Sequence, residues 1–166
     1  MALKKSDTIL VHWEDKFATG IPLIDQQHRD LVQLTNELYE ACLTGGDTIT
    51  EVFSAAMRRM VEYVRHHFSV ELQILERIQY PRLEEHRQEH ETLIKDILAA
   101  VLEHQDGKKF VPNNFVRTLR DWVFGHIGHS DRLYAAYVAE QRSKDLSFLR
   151  RIDLEGITET EDPADT

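Results

Sequence analysis

Four stretches of helical period follow one another in this chain, and each carries histidine where its neighbours can share a face. His28 lies in the first, His67 with Glu71 in the second and His86 with His90 in the third. His126 lies in the fourth, with Asp131 five residues beyond it. Residues four apart on an α-helix project from one side, so His67/Glu71 and His86/His90 can each aim two donors at one point. Helices that turn such donors inward must converge. The pattern therefore points to a bundle with a nitrogen-rich, carboxylate-poor metal site at its centre.

The punctuation between the stretches agrees. Residues 1–20 read as an irregular arm containing Trp13 and Phe17. Pro22 suits a first helical position, and Ile24, Leu31, Leu34, Leu38 and Cys42 keep the period to about residue 43. Gly45-Gly46 should stop that helix, and Thr48-Ile49-Thr50-Glu51 fits a capping box for the next. The second helix runs through Val52, Ala56, Met60, Val64 and Phe68 to a break at Tyr80-Pro81. A third follows from about residue 82 to about residue 104, over Leu83, Leu93, Ile97 and Val101. After the loop Asp106-Gly107-Lys108-Lys109, Pro112 opens a fourth, carrying Phe115, Leu119, Trp122, Phe124, Leu133 and Tyr137 towards residue 140.

Short connections make neighbouring helices antiparallel, so the expected fold is all-α, an up-down-up-down four-helix bundle with an N-terminal arm and a C-terminal extension. The bundle domain is expected over 1–141 and the extension over 142–166. Leu146, Leu149 and Ile152 recur at helical spacing beside Phe148, so the extension should begin helical, and its acidic end should be disordered and solvated.

At 166 residues the length fits one domain with a sizeable core, and the single cysteine, Cys42, excludes an intrachain disulfide and reads as a small hydrophobe. The net charge of −9 argues against a nucleic-acid partner. Much of it is local, because six acids and no Lys or Arg follow residue 152. No run has the length of a signal peptide core or of the ~20 apolar residues a membrane span needs. A cytoplasmic, monomeric protein without membrane insertion is the expectation.

Counted with Asp131, the donors are five imidazoles and two carboxylates. That is too many for a four-coordinate structural zinc and too rich in nitrogen for calcium or magnesium. Two first-row transition ions bridged by the carboxylates would use every donor, with iron the best fit and manganese second. Spacing fails at one place. Five residues turn an α-helix by about 140° beyond a full turn, so periodicity pairs His126 with His129 and not with Asp131.

Asp131 enters through resemblance. Gly20-Ile21-Pro22-Leu23-Ile24-Asp25-Gln26-Gln27-His28, His67-Phe68-Ser69-Val70-Glu71, His86-Arg87-Gln88-Glu89-His90 and Trp122-Val123-Phe124-Gly125-His126-Ile127-Gly128-His129-Ser130-Asp131 resemble the hemerythrins, most closely the bacterial single-domain type. Trp13 and the Tyr80-Pro81 break match as well, and the resemblance spans about residues 11–140. It implies a non-haem diiron centre that binds dioxygen reversibly. His86, His90 and His126 would hold one iron, and His28 and His67 the other, which keeps an open position. Glu71 and Asp131 would bridge the pair together with a solvent-derived oxo or hydroxo group.

Leu31, Phe68, Trp122 and Ile127 are the residues expected to line an apolar dioxygen pocket. Storage, delivery or buffering of dioxygen, with an oxygen-consuming enzyme as the partner, is the expected role, and catalysis is not. A sensor module, a diiron oxidase or peroxidase and a nitric-oxide reductase are the alternatives. Two positions depart from the family: Leu72 and Leu75 stand where an acid and a methionine are frequent. Asp25 can either orient an imidazole or cap its helix. His12, His66, His104 and His129 fall outside the ligand positions and are expected on the surface or in loops.

Overall fold

The computed structural model describes residues 9–44, 49–105, 112–151 and 157. Helix α1 spans Pro22–Thr44, α2 spans Ile49–Arg77 and α3 spans Leu83–Gln105. The fourth rod of the bundle is built in three pieces, α4 (Pro112–Gly125), a π-helical turn over His126–Ser130 and α5 (Asp131–Lys144). Helix α1 packs on α2 and α4, and α2 on α3, so the rods close an antiparallel four-helix bundle. Pro22 opens α1 as its fixed φ predicts. At the far end of α2, Gln79 adopts a φ of 55°, which lets the Tyr80 N–H donate to the Leu75 carbonyl at 2.9 Å just before Pro81. The glycine stop, the Thr48 cap and the loop at 106–109 lie outside the described residues.

Two apolar clusters fill the bundle. One contains Leu31, Leu38, Phe53, Met60, Phe68, Leu93 and Ile127, the other Ile24, Val70, Ile74, Leu75, Tyr134 and Val138. On every rod the donors fall between members of the two. His28 separates Ile24 from Leu31, and Asp131 separates Ile127 from Tyr134. The polar layer is thus sealed from both ends.

From residue 9 onward the arm is tied down rather than loose. Asn36 Oδ1 accepts from the Leu10 and Val11 N–H groups at 3.0 and 2.9 Å, and its Nδ2 donates to the Val11 carbonyl at 2.9 Å. After a 3-10 turn at Asp15–Phe17, the buried Phe17 ring meets Trp13 and Phe124 at 5.8 and 5.7 Å between centroids. Phe17 also lies over Gly128 of the π turn, where a Cβ would stand 3.5 Å from its Cε1. Arg132 Nη1 donates to the Lys16 carbonyl at 2.6 Å. Asp25 acts at the helix start and on no imidazole: its carboxylate accepts from Thr19 N and Oγ1 at 2.6 and 2.7 Å and from Gly20 N at 3.3 Å.

The C-terminal spacing is used differently from expectation. The chain leaves α5 at Asp145 with an extended φ of −147°, so Leu146 is 88% exposed. Phe148 and Leu149, in a short 3-10 turn at Phe148–Arg151, pack on the second cluster with Ile157 instead. Ile152 and the acidic end lie outside the described residues. On α5, Leu133 is 38% exposed while Tyr134 is fully buried, because the bundle interior offers its hydroxyl a partner. Cys42 is half-buried, and burial pushes its thiol up to about 11, as befits a small hydrophobe. Among the described residues no helix is long and apolar enough to cross a membrane.

Because Phe17 joins the arm to the π turn, Phe17→Ala should lower the unfolding free energy by about 3–5 kcal/mol, the usual cost of deleting a buried ring. Urea denaturation checks this, and Lys16→Ala, at an exposed neighbour, should change it by less than about 0.5 kcal/mol.

Candidate metal centre

The π turn answers the spacing problem at Asp131. Its backbone N–H donates to the His126 carbonyl, an i→i+5 bond that takes five residues through roughly one turn. His126 and Asp131 then face the same way, with His126 Nε2 3.1 Å from Asp131 Oδ1. His129, which regular helical spacing favours, is exposed.

All seven predicted donors meet in the layer between the clusters, and none is more than 4% exposed. Glu71 Oε2 lies 3.0 Å from both His86 Nε2 and His90 Nε2, while Oε1 lies 3.9 Å from His28 Nε2. Asp131 Oδ1 lies 3.1 Å from His126 Nε2 and 3.5 Å from His86 Nε2, while Oδ2 lies 3.2 Å from His28 Nε2. Each carboxylate therefore presents one oxygen to the group His86/His90/His126 and the other to the side of His28. The donor atoms of Glu71, His86, His90 and His126 fall within 4.8 Å of one another, as do those of His28, His67 and Glu71. Glu71 belongs to both sets.

Several of these atoms lack ordinary partners. Both Asp131 oxygens, His28 Nε2 and His67 Nε2 are buried without a well-formed hydrogen bond. Each such group costs about 1–3 kcal/mol if nothing satisfies it. His90 Nε2 and His126 Nε2 face each other at 2.9 Å. Lone pairs converging from both sides on a dry space fit cations better than they fit one another.

Protonation points the same way. Burial holds His67 down at about 3 and His90 at about 4, so both are neutral donors near pH 7. Desolvation opposes the charge on Glu71, yet hydrogen bonds from His86 and His90 outweigh it and hold the carboxyl well below its usual range. Asp131 is also lowered, the attraction of His126 exceeding desolvation and repulsion from Glu71. His86 and His126 are raised because Glu71 and Asp131 overcome their desolvation. In the metal-free chain two imidazolium protons can thus balance two buried carboxylates, and cations would displace those protons.

Neighbours that the sequence did not disclose hold the donors in place. Gln27 Oε1 lies 2.9 Å from His67 Nδ1, which donates to it and so leaves Nε2 free to face the centre. The Gln27 carbonyl accepts from Tyr63 Oη at 3.0 Å, and Gln27 Nε2 lies 3.5 Å from the ring of half-buried His66. His66, expected at or near the surface, is thus half-buried and sits beside the residue that holds His67. Tyr134 Oη donates to Glu71 Oε1 at 2.5 Å. No sequence signal marks Gln27, because it supports a histidine on a different helix.

Of the residues expected to line an apolar pocket, Leu31, Phe68 and Ile127 are buried and share one cluster. Phe68 stacks on His90 with centroids 3.6 Å apart and planes at 4°, and reaches His67 at 5.6 Å. Half-buried Trp122 stacks on His126 at 5.0 Å and 13°. Leu75, at the position that departs from the family, is fully buried core, and Leu72 is half-buried.

Two expectations follow. Deleting Gly128 should turn the π turn into α-helix and rotate Asp131 away from His126. Helical circular dichroism should persist while ferrous iron bound per chain, read by metal analysis, falls. For the metal-free chain the pH dependence has a definite sign. An unfolded histidine binds its proton near 6.5, whereas folded His67 and His90 wait until about 3 and about 4. Stability should therefore drop as pH falls below about 6.5, by on the order of 1.4 kcal/mol per unit for each imidazole. The lowered carboxylates add the same slope below about 4.5, and the raised His86 and His126 act only on the alkaline side. Denaturation of metal-free protein between pH 7 and 4 measures it.

Comparison with known proteins agrees with this geometry. The family model described as hemerythrin HHE cation binding domain matches residues 19–138. The chain is 32% identical over 134 residues to a bacteriohemerythrin of Stenotrophomonas maltophilia, covering 78% of this chain and 82% of the relative. It is 33% identical over 129 residues to a bacteriohemerythrin of Clostridium acetobutylicum, covering 74% and 96%. The crystal structure of wild-type hemerythrin superposes with a TM-score of 0.71 at 24% identity, covering 76% of this chain and 96% of that one, and supports the fold. This chain belongs to the hemerythrin HHE cation-binding family.

Proposed function

We propose that this protein binds dioxygen reversibly at a non-haem diiron centre and stores, delivers or buffers it, for instance for an oxygen-consuming enzyme. One observation carries the reading: two fully buried carboxylates, Glu71 and Asp131, each span two separate groups of imidazoles. His86, His90 and His126 are assigned to one iron and His28 and His67 to the other, with Glu71 and Asp131 bridging. The second iron, with fewer protein donors, is the one left open to ligand. Two ferrous ions held there would supply the electrons that bind dioxygen.

The chain's own residues favour carriage over catalysis. Diiron oxygenases of related bundles draw on more carboxylates and on Glu-x-x-His pairs. Here the donors are mostly neutral imidazoles, which stabilise strongly oxidised iron less than anionic oxygen does. Leu31, Phe68 and Ile127 keep water from the layer, and the Phe68 and Trp122 rings brace His90 and His126. Tyr134 and Gln27 fix Glu71 and His67, so ligand can come and go without the donors rearranging.

Anaerobic loading with ferrous iron should give two irons per chain. Exposure to air should then produce a visible charge-transfer band that disappears on deoxygenation and returns on re-aeration. Conversion to a ferric form that deoxygenation does not reverse would overturn the carrier reading in favour of an oxidase or redox sensor.

A further inference from the structure

The motif His86-Arg87-Gln88-Glu89-His90 contains an acid that the centre described above does not use. Glu89 follows His86 by three residues, which sets it about 60° round α3 from that inward donor. There it borders a recess of about 300 Å³ between α3 and the fourth rod, together with Asp96, Trp122, Gly125 and His126. Gly125 has helical angles, and a Cβ on it would meet nothing within 4 Å, so the space beside the His126 ring is open. Glu89 Oε2 lies 3.7 Å from His126 Nδ1, the nitrogen that faces away from the centre.

The other imidazoles differ. His28 Nδ1 and His90 Nδ1 are buried without a hydrogen-bond partner, and His67 Nδ1 has only the neutral amide of Gln27. Among the described residues, His126 is the one ligand with a carboxylate within ion-pair distance of its outer nitrogen. At 3.7 Å that contact is longer than a hydrogen bond. A cation on Nε2 withdraws electrons from the ring and makes the Nδ1 proton more positive. The Glu89 side chain is 45% exposed, so its head can swing onto that proton, while Trp122 lies flat on the ring and keeps its plane.

We propose that Glu89 is a positioning residue for His126: its carboxylate accepts a hydrogen bond from Nδ1–H, makes the imidazole a stronger donor to iron and so strengthens dioxygen binding. The inference rests on the diiron reading. A carboxylate behind a ligand imidazole raises its basicity and favours the more highly charged metal. Both ferrous ions supply electrons when dioxygen binds, so a better donor on either iron favours the bound state. The charge acts through His126 and not as a general field, because Asp96 borders the same recess without such a contact.

The test uses the full chain loaded anaerobically with ferrous iron, with iron content measured and wild type compared with Glu89→Gln and Asp96→Asn. Glu89→Gln keeps size and an oxygen acceptor but removes the charge. It should raise the midpoint potential of the iron pair and weaken dioxygen binding about tenfold, the low end of what such outer partners contribute. Anaerobic redox titration reads the first, and release of dioxygen followed by the visible band reads the second. Asp96→Asn should match wild type in both. Glu89→Ala carries the same test if Glu89→Gln misfolds. A Glu89→Gln potential and release rate equal to wild type, or equal shifts in Asp96→Asn, would overturn the role of Glu89 alone. Wild-type loading below two irons per chain overturns the diiron reading with it.

Discussion

Two carboxylates buried with no access to water are the constraint around which this molecule is arranged. An ionised acid in a dry interior is tolerated only when opposite charge or hydrogen bonds meet both of its oxygens. Imidazoles meet both oxygens of Glu71, while those of Asp131 lie among imidazoles without a well-formed hydrogen bond, so protons on the imidazoles or bound cations must complete the layer. The donors must therefore reach one depth, and the two apolar clusters above and below that layer hold the rods at the height where they do. Core packing and site geometry are one problem here, because a rod that slid along its axis would carry a donor out of the layer.

The fourth rod solves its part by departing from the regular helix. A π turn leaves one residue too many for α-geometry, a cost that proteins retain mostly at functional positions. In return it brings His126 and Asp131 to one face. The turn does not stand unsupported. Phe17 lies over Gly128, Arg132 holds the Lys16 carbonyl, and Asn36 clasps the arm at Leu10 and Val11. An N-terminal segment with little regular structure of its own is thereby part of what positions the centre.

Around the donors, small differences of environment set very different protonation. His67 and His90 are kept neutral by burial, while His86 and His126 are drawn towards the protonated form by carboxylates in direct contact. Aromatic rings then limit motion: Phe68 lies flat on His90, and Trp122 on His126. Gln27 and Tyr134 fix the remaining degrees of freedom through single hydrogen bonds.

The sequence by itself determined what local rules reach. Pro22 and Tyr80-Pro81 bounded helices, and four-residue spacing put His67 with Glu71 and His86 with His90 on shared faces. Those rules act within one helix, so they are readable along the chain. The choice of Asp131 over His129 was legible only through the resemblance of its segment and not through helical spacing, because regular periodicity forbids it and a π turn braced by the arm permits it. The burial of Tyr134 in place of Leu133, the place of Gln27 behind His67 and the exposure of Leu146 were not legible. Each depends on which surface of one rod meets which surface of another. That information lies in the packing of distant segments, where a hydroxyl or an amide finds its partner only after the bundle has closed.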